Sequence, residues 1–348
     1  MITDGLKLTS YFGERQRAGG QFVADALAGL YGRQEVAASI LLRGAEGFGL
    51  KHRLRTDLSL SLSEDLPLTA IAVDERARIE ALAPEAVRLT GSGLVTLERA
   101  RLLTGDLDGH AATGNGGAAK VTIYLGRQER VYRVPAFVAV CDLLHRRGTD
   151  GATALLGVDG TAHGQRERAR FFSRNAEVPM MVIAVGAEDR IARVLPELGG
   201  LLARPLATVE RVVVCKRDGQ LLCPPPNGEP APGPDGAPGA RWQKLMVYTS
   251  EASRADGQPI HRAIVRRLRS AGLAGATTQL GIWGFHGAHP PHGDRIFQLS
   301  RHVPAVTSVI DRPERIAVAF GLIDELTTAT GLVTSENVPA RFRPADDS

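Results

Sequence analysis

The chain has 348 residues, of which 43% are hydrophobic and 23% charged, a composition typical of folded globular proteins with room for two or three cores. Its formal net charge of +4 is too small for the electrostatic footprint of a nucleic-acid-binding protein. The apolar runs are too short to span a membrane, the first residues have no signal-peptide pattern, and the three cysteines have neither metal-ligand nor disulfide spacing. We therefore expect a cytoplasmic protein that binds neither nucleic acid nor a metal.

A glycine-rich turn occurs three times along the chain. The first glycines of these turns, Gly44, Gly157 and Gly281, each lie 37 residues after a lysine. The same lysine-to-glycine distance in three places, with no insertion or deletion, indicates that one unit occurs three times in the chain. We place repeat 1 at residues 6–103, repeat 2 at 119–216 and repeat 3 at 241–340. A Gly- and Asp-rich linker expected to be flexible covers 104–118, a Pro- and Gly-rich linker covers 217–240, and a tail expected to be disordered covers 341–348.

The first strand of each repeat alternates between two kinds of residue. In repeat 1, Lys7, Thr9 and Tyr11 share one face, and Leu8 and Ser10 lie on the other. The other repeats carry lysine and tyrosine at the same positions, which are Lys120, Tyr124, Lys244 and Tyr248. One face of each strand is predicted to pack on helices, and the other to carry lysine and tyrosine.

An amphipathic helix is predicted after each first strand, because apolar residues recur at i, i+4 and i+8. The three stripes are Val23-Leu27-Tyr31, Ala136-Val140-Leu144 and Ile260-Ile264-Leu268. Later in each repeat a proline is predicted to be the first residue of a strand, where its missing N–H costs no hydrogen bond between strands. An isoleucine twelve residues further on is predicted to lie in a second helix. These pairs are Pro67 and Ile79, Pro179 and Ile191, and Pro304 and Ile316.

The order strand, helix, strand, strand, helix, strand predicts a ferredoxin-like unit, with both helices on one face of an antiparallel sheet. Such a unit leaves the other face of its sheet uncovered. Three copies can bury these faces against one another around a pseudo-threefold axis. We therefore predict an α+β protein of three tandem βαββαβ units, arranged as an intramolecular pseudo-trimer and monomeric in solution.

Several short segments resemble the PII-like domain-of-unknown-function 190 family. In repeat 1 these are Gly-Glu-Arg at 13–15, Arg-Gly-Ala-Glu-Gly-Phe-Gly at 43–49 and Ser-Glu-Asp-Leu-Pro at 63–67. Repeat 3 resembles the family at 263–268, 273–277 and 281–285. Repeat 2 keeps Gly157 and Gly160 but lacks the phenylalanine that follows the second glycine. The resemblance covers all three repeats and implies a relation to the PII signalling proteins.

That relation implies clefts between ferredoxin-like units, which in PII proteins bind adenine nucleotides and change a mobile loop that contacts a partner. By resemblance, the base of the loop corresponds to Arg43, Gly44, Gly47, Phe48 and Gly49, the turn before the last strand to Gly91 and Gly93, and the basic residues to Arg99 and Arg101 or to Arg211 and Lys216. Repeat 2 replaces the second turn with Ala203-Arg204-Pro205, and repeat 3 shortens it to Thr330-Gly331. The three clefts are therefore not expected to be equivalent.

The glycine turns themselves have two interpretations. Their backbone N–H groups could form an anion-binding nest, or they could simply be tight turns after a strand. In repeats 2 and 3 the candidate glycines are Gly157, Gly160, Gly281 and Gly284. Phe48 and Phe285 follow the second glycine and could either stack on a base or pack in the core.

The aligned lysines Lys7, Lys120 and Lys244 also have two interpretations. Lysine is rare in this chain, with five lysines against 37 arginines, and its compact charge suits a phosphate. Alternatively, each lysine pairs across the sheet with a glutamate of the last strand, namely Glu98, Glu210 or Glu336. The ion-pair interpretation is favoured, because it explains the triplication without a ligand.

A histidine cluster, His286, His289 and His292, has a spacing that could hold a metal. It lies in a loop interrupted by Pro290 and Pro291, which favours a solvated loop. The sequence contains none of the common motifs of hydrolases, kinases or metalloproteases, so we do not expect an enzyme.

The sequence thus predicts a PII-like regulator that binds a small anionic ligand, ATP, ADP or AMP, between its repeats and has no other cofactor. Binding would order the loops after the glycine turns and change the activity of a protein partner. The alternative is an interaction protein without a small ligand, whose loops dock a partner such as a membrane transporter.

Overall fold

The computed structural model of the chain describes residues 1–49, 51–57, 65–112, 116–162, 164–168, 178–226, 242–287, 289–293, 303–338 and 340–342. Repeat 1 contains β1 (Ile2–Gly13), β2 (Arg17–Ala18), β3 (Gln21–Phe22), α1 (Val23–Arg33), β4 (Ala38–Arg43), β5 (Glu46–Phe48), β6 (Arg55–Thr56), β7 (Pro67–Glu75), α2 (Arg76–Thr90) and β8 (Leu94–Thr104). Repeat 2 and the residues after it contain β9 (Ala118–Gly126), β10 (Arg130–Val131), β11 (Val134–Pro135), α3 (Ala136–Arg146), β12 (Gly151–Leu156), β13 (Asp159–Ala162), β14 (Gln165–Arg168), β15 (Pro179–Ala187), α4 (Glu188–Leu201), β16 (Leu206–Arg217) and β17 (Gln220–Leu221).

Repeat 3 contains β18 (Trp242–Ser250), β19 (Arg254–Ala255), β20 (Gln258–Pro259), α5 (Ile260–Ser270), β21 (Ala276–Leu280), β22 (Trp283–His286), β23 (His292–Gly293), β24 (Pro304–Asp311), α6 (Pro313–Leu326), β25 (Leu332–Val338) and β26 (Ala340–Phe342). The predicted apolar stripes lie on α1, α3 and α5, and their residues are buried. Each predicted proline is the first residue of its strand. Each repeat therefore combines helices and strands, as the sequence predicts.

Each repeat forms a four-stranded antiparallel sheet with the same strand order. The order is β4-β7-β1-β8 in repeat 1, β12-β15-β9-β16 in repeat 2 and β21-β24-β18-β25 in repeat 3. In each sheet the first strand lies in the middle, next to the last strand. This order places the lysine of the first strand directly opposite the glutamate of the last: Lys7 faces Glu98, Lys120 faces Glu210 and Lys244 faces Glu336.

The last strands of the repeats connect the three sheets. The end of β8 pairs with the start of β16, and the end of β16 pairs with the start of β25. The circle closes through β26, which pairs with the start of β8. Arg341 and Phe342, which we expected to belong to a disordered tail, thus lie in a strand, because the edge of β8 offers them backbone partners. Residues 343–348 lie outside the described residues.

The linker between repeats 1 and 2 is partly packed against the protein. The segment was predicted to be flexible, but Leu107 and Ala112 are buried in the core of repeat 2. A short 3-10 helix, Gly109–Ala112, lies against α4. Apolar side chains in the linker therefore fix this part of it. Most of the Pro- and Gly-rich linker, from residue 227 onward, lies outside the described residues.

Four groups of buried apolar residues stabilise the fold. Three of them lie between a sheet and its two helices, one for each repeat. The fourth lies between the three sheets and contains residues of all repeats, such as Ile71, Ile183 and Val306. The second face of each sheet is therefore buried against the other repeats. Among the described residues, no helix combines the length and the apolar character needed to cross a membrane.

Candidate functional site

The three glycine turns join neighbouring repeats. After each turn a short strand pairs with the neighbour's sheet: β5 with β21, β13 with β4 and β22 with β12. The residue after the first glycine donates its N–H to a carbonyl of that neighbour. These bonds are Ala45 to Thr278 (2.8 Å), Val158 to Leu41 (2.8 Å) and Ile282 to Ala154 (2.9 Å). Repeat 1 therefore binds repeat 3, repeat 2 binds repeat 1, and repeat 3 binds repeat 2.

The second glycine of each turn is required by the close approach of the neighbouring backbone. A Cβ atom at Gly160 would lie 2.2 Å from the carbonyl oxygen of Ser39, and one at Gly284 would lie 2.2 Å from that of Ala152. At Gly47 the corresponding distance, to the oxygen of Ala276, is 2.7 Å. The first glycines, Gly44, Gly157 and Gly281, are similarly enclosed by the strand-opening proline and the neighbouring repeat. Packing between repeats thus explains these glycines without an anion.

The phenylalanines after the second glycines insert into the neighbouring repeats. Phe48 is 4% exposed and belongs to the core of repeat 3. Phe285 is 2% exposed, belongs to the core of repeat 2, and contacts His145 edge-on at 4.9 Å between ring centroids. Core packing therefore accounts for both rings. In repeat 2, Thr161 takes this place and donates a hydrogen bond to Ser39 Oγ at 2.9 Å.

The aligned lysines form a buried ring with the three glutamates. Each lysine contacts the glutamate of its own repeat and the glutamate of a second repeat. Within repeats the N–O distances are 2.8 Å for Lys7–Glu98, 3.1 Å for Lys120–Glu210 and 3.1 Å for Lys244–Glu336. Between repeats they are 2.5 Å for Lys120–Glu336 and Lys244–Glu98, and Lys7 contacts Glu210 in the same way. All three ammonium groups and all three carboxylates thus have partners of opposite charge, as the favoured ion-pair interpretation of these lysines requires.

The pKa values in the ring reflect burial and pairing. Burial raises the pKa of the Glu98 carboxyl, but Lys244 and Lys7 outweigh this effect and hold the pKa well below its usual range. Burial lowers the pKa of Lys7, but Glu210 and Glu98 reverse this and raise it well above the usual value. For Lys120 burial prevails, and its pKa is lowered.

A cavity of about 50 Å³ lies beside the ring, between the three sheets. Its wall includes the three lysines, together with Thr9, Tyr11, Tyr124 and Ser308. Because three carboxylates balance the three ammonium groups, this cavity has no excess charge with which to bind an anion.

An open cleft lies between repeats 1 and 3, and we call it the 1–3 cleft. It has a volume of about 110 Å³. Its apolar wall consists of Tyr11, Phe12, Phe48, Pro67, Leu94, Ala274, Ala276 and Ile310. Its polar wall consists of Gln16, Ser92, Thr277 and Ser308, and the glycines Gly13, Gly49, Gly93 and Gly275 bring the backbone close.

Three basic residues lie at one side of the 1–3 cleft. Lys51 and Arg53 are exposed and form no ion pair with a described residue, whereas Arg55 binds Asp65 at 2.8 Å. The loop that carries them is held from behind by α5 of repeat 3. Arg262 contacts Glu46 (2.8 Å), Thr56 (3.0 Å) and Asp57 (2.7 Å), and Arg269 contacts the carbonyl of His52 (2.5 Å). Two exposed cationic side chains therefore lie beside the apolar wall of the cleft.

Repeat 2 differs from repeat 1 at residues that line this cleft. Gln16 of the 1–3 cleft corresponds to Glu129 in repeat 2, a half-buried carboxyl whose pKa is raised mainly by burial. Ser92 and Gly93 correspond to Arg204 and Pro205 in repeat 2. A carboxylate opposes an anionic ligand, and proline offers no N–H donor. The chemistry of the 1–3 cleft is therefore not reproduced by repeat 2.

The structure thus brings together only some of the residues suggested by the sequence. Phe48, Gly49 and Gly93 line the 1–3 cleft. Arg43 lies outside its lining and binds Glu14 at 3.1 Å, and Gly44, Gly47 and Gly91 are also outside. Lys216 is buried and binds Asp324. The sequence reasoning missed Lys51, Arg53, Arg55, Gln16 and the segment 274–277, although a basic stretch after the turn in repeat 1 was visible in the sequence.

The histidines of repeat 3 lie close together. The ring of His286 is 5.4 Å from that of His289 and 6.5 Å from that of His292, measured between centroids. Within the described part of the chain, the one set of three groups near enough to share an ion is Glu98, Glu210 and Glu336. Those carboxylates already bind the three lysines.

Comparison with known proteins gives a family match for each repeat. Residues 5–102, 118–214 and 242–340 match the family model DUF190, described as Uncharacterized ACR, COG1993. A UPF0166 protein of Aquifex aeolicus is 30% identical over 95 residues, which are 27% of this chain and 88% of that protein. A UPF0166 protein of Methanocaldococcus jannaschii is 28% identical over 89 residues, which are 26% of this chain and 82% of that protein. Each of these matches thus has about the length of one repeat.

Among solved structures, an aspartate kinase from Synechocystis aligns with 97% of this chain at 12% identity and a TM-score of 0.23. The alignment covers 52% of the kinase, so the chain spans about half the length of that protein. A likeness this weak supports no argument about fold or activity. The matches to the family model, in contrast, extend over all three repeats, and the chain belongs to the DUF190 family, of which it carries three tandem copies.

Proposed function

We propose that the chain is a PII-like regulatory protein that binds one small anionic ligand, an adenine nucleotide, in the 1–3 cleft. In this proposal the three ferredoxin-like repeats form an intramolecular pseudo-trimer, and the protein is a monomer. It acts by binding and not by catalysis.

The pseudo-trimer is supported by the strand order and by the contacts between repeats. A central first strand beside the last strand, with two helices on one face, is the arrangement of a ferredoxin-like unit. The turn strands, the last strands and the lysine–glutamate ring each connect all three repeats in a circle. A closed circle leaves no unpartnered repeat at either end, which favours a single self-contained chain.

The observation that carries the ligand proposal is the combination of an apolar wall with exposed cations in one cleft. Tyr11, Phe12 and Ile310 offer a surface for a flat base, and Gln16, Ser92 and Thr277 offer hydrogen bonds to its edge. Lys51 and Arg53 can bind phosphate oxygens at the exposed side. A base with an attached phosphate chain combines these two requirements.

Regulation follows from the position of the basic loop. Lys51, Arg53 and Arg55 lie between the glycine turn and residue 57, where the described part of the loop ends. A phosphate bound to these side chains would pull on the loop and favour one of its conformations. The loop would then present a different surface to a protein partner.

A thermal shift assay with a nucleotide panel tests the proposal. ATP, ADP, AMP, GTP and inorganic phosphate are compared at millimolar concentration. A ligand present at ten times its Kd stabilises the folded state by about 1.4 kcal/mol, which is a measurable shift. The Lys51→Ala/Arg53→Ala variant should lose the shift, and Arg193→Ala, at an exposed arginine on α4, should keep it. The absence of a shift with every adenylate would overturn the proposal.

A further inference from the structure

A two-residue hairpin precedes the first helix of each repeat. The hairpins pair β2 with β3, β10 with β11 and β19 with β20. Their tips are Gly19-Gly20 in repeat 1 and Asp256-Gly257 in repeat 3, with positive φ at both residues. Glycine and aspartate suit such a tip, because a positive φ presses a larger side chain against the backbone.

Repeat 2 has the same backbone at its tip but two large side chains. Tyr132 has a φ of 47°, and Arg133 has a φ of 74°. Packing within the chain does not compensate for this strain, because Tyr132 is 93% exposed. Strained residues persist where something else maintains them, and functional surfaces are the usual case. The fold alone gives no reason for a tyrosine and an arginine at this position.

The surroundings of the tip are basic. Arg127, Arg130 and Arg133 are all exposed, and none of them forms an ion pair with a residue that the structure describes. Arg130 donates a hydrogen bond to the carbonyl of Arg133 at 3.0 Å, which holds the tip in its hairpin shape. Glu129 is half-buried, and its Oε2 accepts the N–H of Gly126 at 3.4 Å. Among the described residues, the three arginines around the tip therefore have no carboxylate partner of their own.

In each equivalent hairpin one charged side chain has a partner within the chain. In repeat 1 the guanidinium of Arg17 lies over the ring of Phe22, 4.0 Å from its centroid. In repeat 3 the carboxylate of Asp256 binds Arg267 at 3.2 Å. The almost fully exposed aromatic ring at the tip is particular to repeat 2. So are Arg127 and Arg133, at whose positions repeat 1 has Glu14 and Gly20 and repeat 3 has Glu251 and Gly257.

We propose that the Tyr132–Arg133 tip, with Arg127 and Arg130, is a docking site for an acidic segment of a protein partner. Tyrosine and arginine are the side chains that most often dominate binding energy at protein interfaces. A guanidinium binds a carboxylate with two parallel hydrogen bonds, and an unpaired basic group attracts an acidic partner over a distance. The two-residue tip holds both groups in a rigid frame, so little conformational freedom is lost on binding.

The tip is less suited to a membrane surface. Stable adsorption to a bilayer needs a broad apolar face or several inserted groups. Here the exposed apolar part of the hairpin consists of Tyr132 and of Val134, which is 41% exposed. A protein segment needs only one aromatic contact with carboxylates around it. The proposal does not rest on ligand binding in the 1–3 cleft, which involves neither this hairpin nor its arginines.

The test uses the full chain and a fluorescein-labelled decapeptide of alternating glutamate and leucine, measured by fluorescence anisotropy at low ionic strength. The variant Tyr132→Asp/Arg133→Gly copies the tip of repeat 3 and removes both the strain and the anchor. We expect it to bind the peptide at least tenfold more weakly, with a Tm equal to or above that of the unchanged chain. Arg33→Ala, at an exposed arginine of repeat 1, should bind within twofold of the unchanged chain.

A second variant covers the case in which the double variant folds poorly. Tyr132→Asn tolerates a positive φ and keeps the arginine, and it should still weaken peptide binding several-fold. Equal binding by all variants, or no binding by the unchanged chain, would overturn the proposal. So would binding to vesicles with anionic lipid in the absence of peptide binding, because the partner would then be a membrane.

Discussion

The ammonium group of Lys244 in repeat 3 lies 2.5 Å from the carboxylate of Glu98 in repeat 1, and both side chains are almost completely buried. Lys120 makes the equivalent contact with Glu336, and Lys7 with Glu210. Each of these contacts joins two different repeats. The ring therefore holds the three repeats together through ion pairs, in addition to the backbone hydrogen bonds within and between the sheets.

Lys244→Met should destabilise the protein strongly. Removing one partner of a buried ion pair leaves a charged group without compensation, which typically costs about 3–5 kcal/mol. Here Glu98 and Glu336 would each lose a contact with Lys244. Urea unfolding followed by circular dichroism measures the change. Arg147→Ala removes the exposed pair with Glu197 and should cost at most about 1 kcal/mol. Equal effects of the two substitutions would contradict a special role for the ring.

The ring should also make stability depend on pH on the acid side. Burial alone raises the pKa of the Glu336 carboxyl, but Lys120 and Lys244 outweigh it and lower the pKa to about 2. A carboxyl with a lowered pKa stabilises the fold above its unfolded pKa of about 4.3, and this contribution is lost as pH falls towards the folded value. For Glu336 it is of the order of 3 kcal/mol.

We therefore expect the urea midpoint to fall steadily between about pH 4.5 and pH 2. The Glu336→Gln variant should be less stable at neutral pH and should change less over this range. A midpoint of the unchanged chain that is constant down to pH 2.5 would show that these carboxyls are not held in their ionised form.

Gly284→Ala should disrupt the contact between repeats 3 and 2. The added Cβ would lie 2.2 Å from the carbonyl oxygen of Ala152, so the paired strands must move apart. Overpacking of this kind typically costs about 1–3 kcal/mol. Gly200→Ala is the matched control, because its Cβ would meet nothing within 4 Å and alanine favours a helix. Thermal unfolding compares the two variants, and a stabilised Gly284→Ala would contradict the packing argument.

Arg262→Met should weaken the contact between α5 and the basic loop. Arg262 is 6% exposed and compensates Glu46, whose side chain is completely buried. Burial raises the pKa of Glu46, and Arg262 only partly offsets this effect. We expect a loss of about 3 kcal/mol for Arg262→Met and a smaller loss when Glu46→Gln is added, because no buried carboxylate then stays unpaired. Asp57 also loses Arg262 in both variants, but it is exposed and water compensates its charge. A double variant less stable than the single one would show that the pair does not act as a unit.

The sequence was sufficient to predict the repeats, the helical stripes and the lysine–glutamate pairs within each sheet. The constant spacing from Lys7 to Gly44 and a strand order common to such units led to these predictions. It could not show that Lys7 also contacts Glu210, because that contact depends on which repeat lies next to which. Such an order follows from the closure of the whole circle and has no local sequence signal.

The same limit applies to the candidate site. Gly160 is a glycine because of the carbonyl of Ser39, more than a hundred residues earlier in the chain. Lys51 and Arg53 could be noticed as basic residues after a turn, but the apolar wall opposite them comes partly from Ala274 and Ile310 of repeat 3. A site shared by two repeats becomes visible only when both are placed.

Isothermal titration of the full chain with ATP tests the central claim most directly. The account predicts one binding site per chain, because the 1–3 cleft brings together Lys51, Arg53, Gln16 and Gly93, and repeat 2 has Glu129 and Pro205 in place of Gln16 and Gly93. It also predicts that Lys51→Ala/Arg53→Ala weakens binding at least tenfold, equivalent to about 1.4 kcal/mol. Three equal sites per chain, or one site that is unaffected by this variant, would contradict the account.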